Sequence, residues 1–242
     1  MNKSKDCLMN KFNEWLAGLI DGDGCFQLSK KGYASLEITM ELRDKHCLFL
    51  IKNKFGGSIK IKNNVNFLRY RLHHKEGIIN MITSINGLIR NPIRILQLSR
   101  LCEKYKLELI NPVPLKYNNA WLSGLLDSDG SVYLNEQSVQ ICISITQKNK
   151  LILDILVNLY GGCIYINSKT QSFKWIVFNK KEVINLLNNY FNEYDLKSKK
   201  WKRINLIPYI YDCFSNSGHK LSSETVYGKI WIKLKKKWDE YN

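Results

Sequence analysis

Two pairs of aspartates have the type and spacing to do chemistry. Asp21 and Asp23 close the stretch Trp15-Leu16-Ala17-Gly18-Leu19-Ile20-Asp21-Gly22-Asp23-Gly24, and Asp127 and Asp129 close its near copy Trp121-Leu122-Ser123-Gly124-Leu125-Leu126-Asp127-Ser128-Asp129-Gly130. Each stretch reads as an apolar helix that ends on two acids one residue apart, with a glycine to stop it. A helix C-terminus carries partial negative charge, so acids there are unfavourable unless a cation is near. Such carboxylates either splay into water or hold metal. Gly18 and Gly22 in one copy, and Gly124 and Ser128 in the other, are small residues one helical turn apart. They let two such helices approach backbone to backbone, which would bring the acidic ends together.

The elements that must position these acids recur with them. After a helix over residues 11–21, apolar and polar residues alternate through 26–31 and 35–42, which predicts a hairpin turning at Lys31-Gly32. A helix over 44–55 ends at Gly56-Gly57. A second strand pair, 58–62 and 66–73, surrounds the Asn63-Asn64 turn, and helices near 75–85 and 92–107 complete the half, Pro92 suiting a first helical turn. Residues 108–119, with Pro112 and Pro114, break the periodicity and read as a linker. The same order then returns: Val139, Ile141, Ile143 and Ile145 alternate with Gln140, Cys142, Ser144 and Thr146, a helix runs to Gly161-Gly162, a strand pair follows around Ile164, Ile166 and 173–178, and helices cover 181–191 and 200–213. The domain plan is an N-terminal half 1–107, a linker 108–119, a C-terminal half 120–214 and a basic extension 215–242. A domain-sized repeat of this kind is most simply a duplication. Within the extension, the run from Ile230 to Trp238 mixes apolar residues with lysines. It reads as a helix laid on the body with lysines towards phosphate, or as a solvated helix.

Composition narrows the partner. The 242 residues carry 37 basic against 21 acidic side chains, a net charge of +16, with 45% hydrophobic residues to build a core. A polyanion is implied, nucleic acid first and an anionic membrane surface second. Seven cysteines without a C-x-x-C pair, and four histidines in no zinc pattern, indicate reduced thiols of an intracellular protein. No apolar run is long enough to span a bilayer and no signal-peptide core follows Met1, so a soluble, unexported protein without a membrane partner is expected. The abundance of Asn, Lys, Ile and Tyr matches A/T-rich codons and suggests an organellar genome, mitochondrial or chloroplast.

The two decapeptides resemble the LAGLIDADG motifs of homing endonucleases, and the helix, hairpin, helix, hairpin order resembles that family's αββαββα half over about residues 11–214. The resemblance is to the monomeric, two-motif branch. It implies an α+β fold of two αββαββα repeats related by a pseudo-two-fold axis, with curved antiparallel sheets forming a DNA-binding saddle. It implies that Asp23 and Asp129, the second acid of each motif, are catalytic metal ligands, with the carbonyls of Gly22 and Ser128 completing the protein side of the metal shells, while Asp21 and Asp127 serve helix packing or capping. Basic residues near the scissile phosphates are expected at the last helix of each half. Lys200 aligns best in the second half, with Lys197 and Lys199 as alternatives; in the first half Pro92 stands where lysine is expected, and Arg90 is placed in the catalytic set with Arg94 as its alternative. The polar residue that positions solvent matches Gln147, for which the first half offers Leu42 or Glu41.

The chemistry fits these residue types. Phosphodiester hydrolysis needs a nucleophilic water and a stabilised leaving alkoxide, and divalent metal held by carboxylates provides both. Mg²⁺ suits a site with few protein oxygens, with Mn²⁺ substituting and Ca²⁺ supporting binding without cleavage. DNA recognition is expected on the wet face of the strands, since a two-stranded ribbon fits the major groove. By alternation the first half presents Gln27, Ser29, Lys31, Ser35, Glu37, Thr39, Lys60, Lys62, Arg69 and Arg71. The second presents Tyr133, Asn135, Gln137, Gln140, Ser144, Thr146, Tyr165, Asn167 and Lys174 or Trp175. The expected function is site-specific double-strand cleavage of a long, nearly asymmetric DNA target by a monomer, with short 3′ overhangs and intron mobility as its outcome. An RNA maturase acting on the host intron, or a regulator that binds DNA without cutting, would use the same basic surface. Both acids are intact, which ranks cleavage first.

Overall fold

The structure, a computed structural model, describes residues 3–61 and 65–240. Lys62 and the Asn63-Asn64 turn lie outside the described residues. In the first half, α1 (Lys3–Asp23) leads into β1 (Gly24–Leu28) and β2 (Ala34–Glu41), then α2 (Lys45–Phe55), β3 (Ser58–Ile61), β4 (Phe67–Leu72), α3 (Lys75–Ile85) and α4 (Pro92–Tyr105). The second half repeats this with α5 (Trp121–Asp129), β5 (Gly130–Asn135), β6 (Gln140–Gln147), α6 (Lys150–Tyr160), β7 (Cys163–Asn167), β8 (Ser172–Val177), α7 (Lys180–Leu186), which continues as a π-helical turn to Phe191, and α8 (Lys200–Ser215). Each half has a four-stranded antiparallel sheet, ordered β1-β2-β4-β3 and β5-β6-β8-β7. No helix or strand lies between Tyr105 and Trp121.

The strands are shorter than their periodicity suggests at the hairpin tips. Ser29 and Lys31 belong to the β1–β2 turn, where Ser29 Oγ accepts from the Tyr33 N–H at 2.9 Å and Gly32 takes φ +81°. Val139 begins no strand: Asn135 Oδ1 accepts from the Gln137 and Ser138 N–H groups, and the turn this builds forces Val139 to φ 54°. The alternation that looks like eight consecutive strand positions from Val139 therefore starts at Gln140.

The two halves share one core through the motif helices. Trp15, Leu16, Leu19, Ile20, Trp121, Leu122, Leu125 and Leu126 are all 0–1% exposed. The small residues set how closely α1 and α5 approach. A Cβ on Gly18 would stand 2.0 Å from Trp121 O, one on Gly124 would stand 1.8 Å from Trp15 O, and one on Gly22 would meet Ser128 Oγ at 2.0 Å. At the C-terminus, α9 (Val226–Asp239) packs Leu234 and Trp238 against α8. Arg203 of α8 donates to the carbonyls of Trp238 and Val132 at 3.1 and 2.8 Å, which fastens the extension to the second half. Lys229, Lys233, Lys236 and Lys237 are exposed.

Candidate active site

The first acid of each motif accounts for the wrong-signed helix end. Asp21 Oδ2 accepts from Trp121 Nε1 at 2.7 Å and from the Arg90 N–H at 2.8 Å, and Oδ1 from the Asn91 N–H at 3.0 Å. Asp127 mirrors it, with Trp15 Nε1 and the Lys197 N–H at 2.8 Å and the Ser198 N–H at 3.1 Å. Each carboxylate thus receives the other half's indole and faces the backbone N–H groups that precede the last helix of its own half. An anion at that position is favourable, so the charge that α1 and α5 cannot tolerate at their C-termini is satisfied by the N-termini of α4 and α8. Burial still pushes Asp21 up to about 6, against these hydrogen bonds and the Arg90 charge, and raises Asp127 in the same direction.

The second acids, Asp23 and Asp129, come together where the two helices end. Asp129 Oδ2 lies 2.8 Å from where a Cβ on Gly22 would be. Burial, then repulsion from Asp129, pushes Asp23 up to about 7, opposed by Lys200 and Arg94. Burial also raises Asp129, but there a hydrogen bond from Gln147 Nε2 at 2.5 Å works against it. The counterpart of Gln147 is neither Leu42 nor Glu41. Gly24 faces Ile38 and Gly130 faces Ile145 in the sheet registers, so the residue two beyond Ile145 corresponds to Met40. The Met40 side chain has no N–H to donate, and Glu41 instead pairs with Arg43 at 2.5 Å. The Gln147 hydrogen bond to Asp129, which Met40 cannot supply to Asp23, is one source of the asymmetry between the acids, beside the repulsion that Asp23 takes from Asp129.

Cations stand beside both acids. Lys200 Nζ donates to the carbonyls of Leu126, Asp127 and Ser128 at 2.8, 2.9 and 3.2 Å, capping α5 where its dipole is negative. Burial lowers the affinity of this amine for its proton, and Asp127, Asp44 and Asp23 raise it. In the first half this role falls to Arg94, whose Nη2 donates to Gly22 O at 3.2 Å. Arg90 turns away: its Nη1 reaches Val113 O at 2.8 Å and its guanidinium lies over Trp121. The expectation that Arg90 supplies the first-half cation beside the acids is corrected: its backbone N–H is held by Asp21 and its side chain then points to the linker, so that of the two candidates Arg94 is the one that reaches Gly22 O. The carbonyls of Gly22 and Ser128 each accept from a cation, leaving a second lone pair on each oxygen.

A cleft of about 440 Å³ opens at Asp23, lined also by Thr39, Glu41, Asp44, Ser131, Lys200 and Arg203. Asp44 was not apparent as a site residue. It is 5% exposed and its Oδ1 accepts from the Lys199 N–H at 2.7 Å, tying the first half to the start of α8. Among the described residues no three His, Cys, Asp or Glu side chains cluster as metal ligands. The donor set is therefore two close, desolvated carboxylates with backbone carbonyls. That fits a Mg²⁺-like ion completing its shell with water and phosphate oxygens.

The strand faces sort the remaining side chains. In the first half Gln27, Lys60, Arg69 and Arg71 are exposed and Thr39 half-buried on one face; Glu37 is held between Arg71 Nε at 3.3 Å and Arg69 Nη1 at 3.7 Å. In the second, Asn135, Thr146, Tyr165 and Asn167 are exposed, Gln140 is half-buried, Gln137 is exposed in the turn between β5 and β6 rather than on a strand, and Lys174 Nζ donates to Tyr133 Oη at 3.1 Å. Three expectations are corrected. Trp175 is fully buried on the opposite face and donates from Nε1 to Gly161 O at 2.8 Å, matching Tyr70, whose hydroxyl donates to Gly56 O at 3.0 Å. Ser35 and Ser144 lie on the expected strand faces, but at 5% and 1% exposure their short side chains are sunk among longer neighbours.

Comparison with known proteins agrees with this architecture. A family model described as LAGLIDADG endonuclease matches residues 16–89 and 122–211. The chain is 39% identical over 235 residues to the intron-encoded RNA maturase bI4 of Saccharomyces cerevisiae, covering 95% of this chain and 37% of the relative. It is 34% identical to the probable intron-encoded endonuclease aI2 of Debaryomyces hansenii, covering 99% of this chain and 39% of that one, so it spans well under half of both. To the intron-encoded DNA endonuclease ai2a of Dictyostelium discoideum it is 38% identical, over 94% of this chain and 75% of the relative. Among solved structures, I-AabMI bound to uncleaved DNA matches with TM-score 0.71 at 20% identity, over 95% of this chain and 99% of the other. I-SmaMI bound to uncleaved DNA in the presence of calcium ions matches with TM-score 0.64 at 19% identity, over 94% and 97%. At these identities the structures speak for the fold, two αββαββα-like repeats, while the paired family match and the relatives establish the lineage: the chain belongs to the LAGLIDADG endonuclease family.

Proposed function

We propose that the chain is a site-specific homing endonuclease that hydrolyses one phosphodiester in each strand of double-stranded DNA across the minor groove, leaves short 3′ overhangs and so promotes movement of its intron. The observation that carries this reading is the meeting of Asp23 and Asp129 at the end of the helix pair, desolvated and repelling each other beside Lys200 and Arg94. Divalent metal at such a pair, Mg²⁺ with Mn²⁺ able to replace it, supplies an activated water and neutralises a leaving alkoxide. Asp23 and Asp129, with the carbonyls of Gly22 and Ser128, hold it. Gln147 orients the Asp129 carboxylate, and Lys200 and Arg94 set positive charge against the phosphates to be cut.

The halves, 1–107 and 120–214, each read one part of the target, with 108–119 as tether. Arg69, Arg71 and Lys60 suit guanine edges or phosphate, and Asn135, Gln137, Gln140 and Asn167 suit adenine. Two unlike faces in one chain call for a nearly asymmetric target and a monomer. Organellar origin is supported by the codon-linked composition and by a Schizosaccharomyces pombe relative named for a cox1 intron. Among the described residues no helix is long and apolar enough to cross a membrane.

The test is incubation of the chain with DNA spanning its own insertion site. The reading expects a specific double-strand break in Mg²⁺ and binding without a break in Ca²⁺; binding with no break under any divalent ion refutes it. A second reading, intron-RNA maturase, is favoured by the 39% identity to bI4 and is compatible with the first. It expects tight binding to the host intron's RNA.

A further inference from the structure

At the outer end of the second sheet, away from the end where Gln147 meets Asp129, the second half and the C-terminal extension form an open pocket of about 590 Å³ that holds none of the groups of the cleavage site, although Gln140 of the strand face stands at its edge. Tyr211 and Phe214 of α8, Lys180 at the start of α7, and His219 and Lys220 line it. Trp231 of α9 extends the wall through an adjoining space shared with Phe214 and His219. The rings form one cluster: Phe214 lies 5.1 Å from His219, 5.5 Å from Trp231 and 6.4 Å from Tyr211, centroid to centroid.

Polar groups in this wall lack partners. Tyr211 is 7% exposed, yet its Oη, like His219 Nδ1, has no hydrogen-bond partner among the described residues. Buried polar atoms are nearly always paired, so these two call for a partner that is not a protein atom, a water or a ligand group that takes its place. Positive charge stands at the rim: Lys180 Nζ lies over the Tyr211 ring at 5.2 Å and reaches Ser215 Oγ at 3.4 Å, and Lys220 is exposed. Aromatic faces, unpaired hydrogen-bonding atoms and ammonium groups together match the face and edge of a base and the phosphate of a nucleotide. The volume suits one.

We propose that this pocket receives an unpaired nucleotide of single-stranded RNA, its base packed against Phe214 and His219, its edge towards Tyr211 Oη and His219 Nδ1, and its phosphate on Lys180 and Lys220. A DNA duplex keeps its bases stacked and paired and has nothing to put here, whereas loops and bulges of folded RNA display splayed bases that aromatic side chains capture. This deepens the RNA-binding reading above and is independent of cleavage.

The test uses the full chain and fluorescein-labelled short RNA, with the same sequence as single-stranded DNA and the insertion-site duplex as separate arms. Wild type binds the RNA, and Lys180→Ala/Lys220→Ala weakens that binding about ten-fold while duplex affinity stays within about two-fold. Tyr211→Phe, which keeps the ring, weakens RNA binding by a smaller factor. Iodouridine-substituted RNA crosslinks to Tyr211, Phe214, His219 or Trp231. Unchanged RNA affinity in the lysine variant, or crosslinks confined to the strand faces, overturns the pocket while leaving RNA binding itself intact. Equal affinity for single-stranded DNA overturns the assignment to RNA, and no RNA binding by wild type overturns pocket and maturase reading together.

Discussion

Asp23→Asn should make the metal-free protein more stable at alkaline pH. In the native state burial and Asp129 hold the Asp23 carboxyl up at about 7, against an ordinary value of 3.8. The folded chain therefore keeps this proton between about pH 4 and pH 7 while the unfolded chain releases it. Below that window both states are protonated and the group is neutral in the balance. As pH rises through it the native state binds more protons than the unfolded one, so stability falls, and the loss is complete above about pH 7. Fully felt, the displacement is worth about 4 kcal/mol; the cleft is open to water on one side, and screening leaves about 2 kcal/mol. An amide has no charge to bury. Urea unfolding in EDTA at pH 4.5 and pH 8, followed by far-ultraviolet circular dichroism, measures this directly. Wild type and variant should have similar midpoints at the lower pH. At pH 8 the variant's midpoint should exceed the wild type's by roughly 0.5–1 M. Equal midpoints at pH 8, or a less stable variant, would refute the claim that burial and the neighbouring Asp129 disfavour the ionised Asp23 carboxylate more than Lys200 and Arg94 favour it.

Further outcomes follow from the same geometry. Gly124→Ala places a Cβ 1.8 Å from Trp15 O, a backbone atom that can move only with its helix, so it should cost at least about 3 kcal/mol in urea unfolding. Trp121→Phe removes the indole donor to Asp21 and should lower stability by about 1.5–3 kcal/mol, with the loss shrinking below pH 6 as the Asp21 carboxyl gains its proton. Under the cleavage reading, Arg94→Ala should slow one strand's cut by tenfold or more at unchanged DNA affinity, whereas Arg90→Ala should act mainly on stability; the reverse ranking in strand-resolved kinetics would return Arg90 to the site. Met40→Gln should speed the slower strand, since it restores on that side a donor like Gln147.

Much of this was legible in the chain because repetition and periodicity are local signals. The two decapeptides, the hairpins that follow them and the close approach of Gly18 and Gly124 all come from spacing alone. What escaped depends on contacts between distant residues. Nothing near Asp21 announces that its partner is Trp121, one hundred residues away. Arg90 and Arg94 lie one turn apart, and only the capture of the Arg90 and Asn91 N–H groups by Asp21 decides which reaches Gly22 O beside Asp23. Lys174 and Trp175 are adjacent on a strand whose face alternation left open, and the need of a buried indole N–H for an acceptor, met at Gly161, settles the register. Alternation placed Ser35 and Ser144 on the right face but carries no information about depth. Gln147 was visible by type, whereas its counterpart Met40 needed the hydrogen-bond register of both sheets.

The most direct measurement of the central claim is a single-turnover time course on insertion-site DNA in Mg²⁺, each strand carrying its own label, for wild type, Asp23→Asn and Asp129→Asn. The account predicts that wild type cuts both strands at unequal rates and that neither variant, though folded and DNA-bound, yields double-strand product. Cleavage of both strands at wild-type rates by either variant would contradict it.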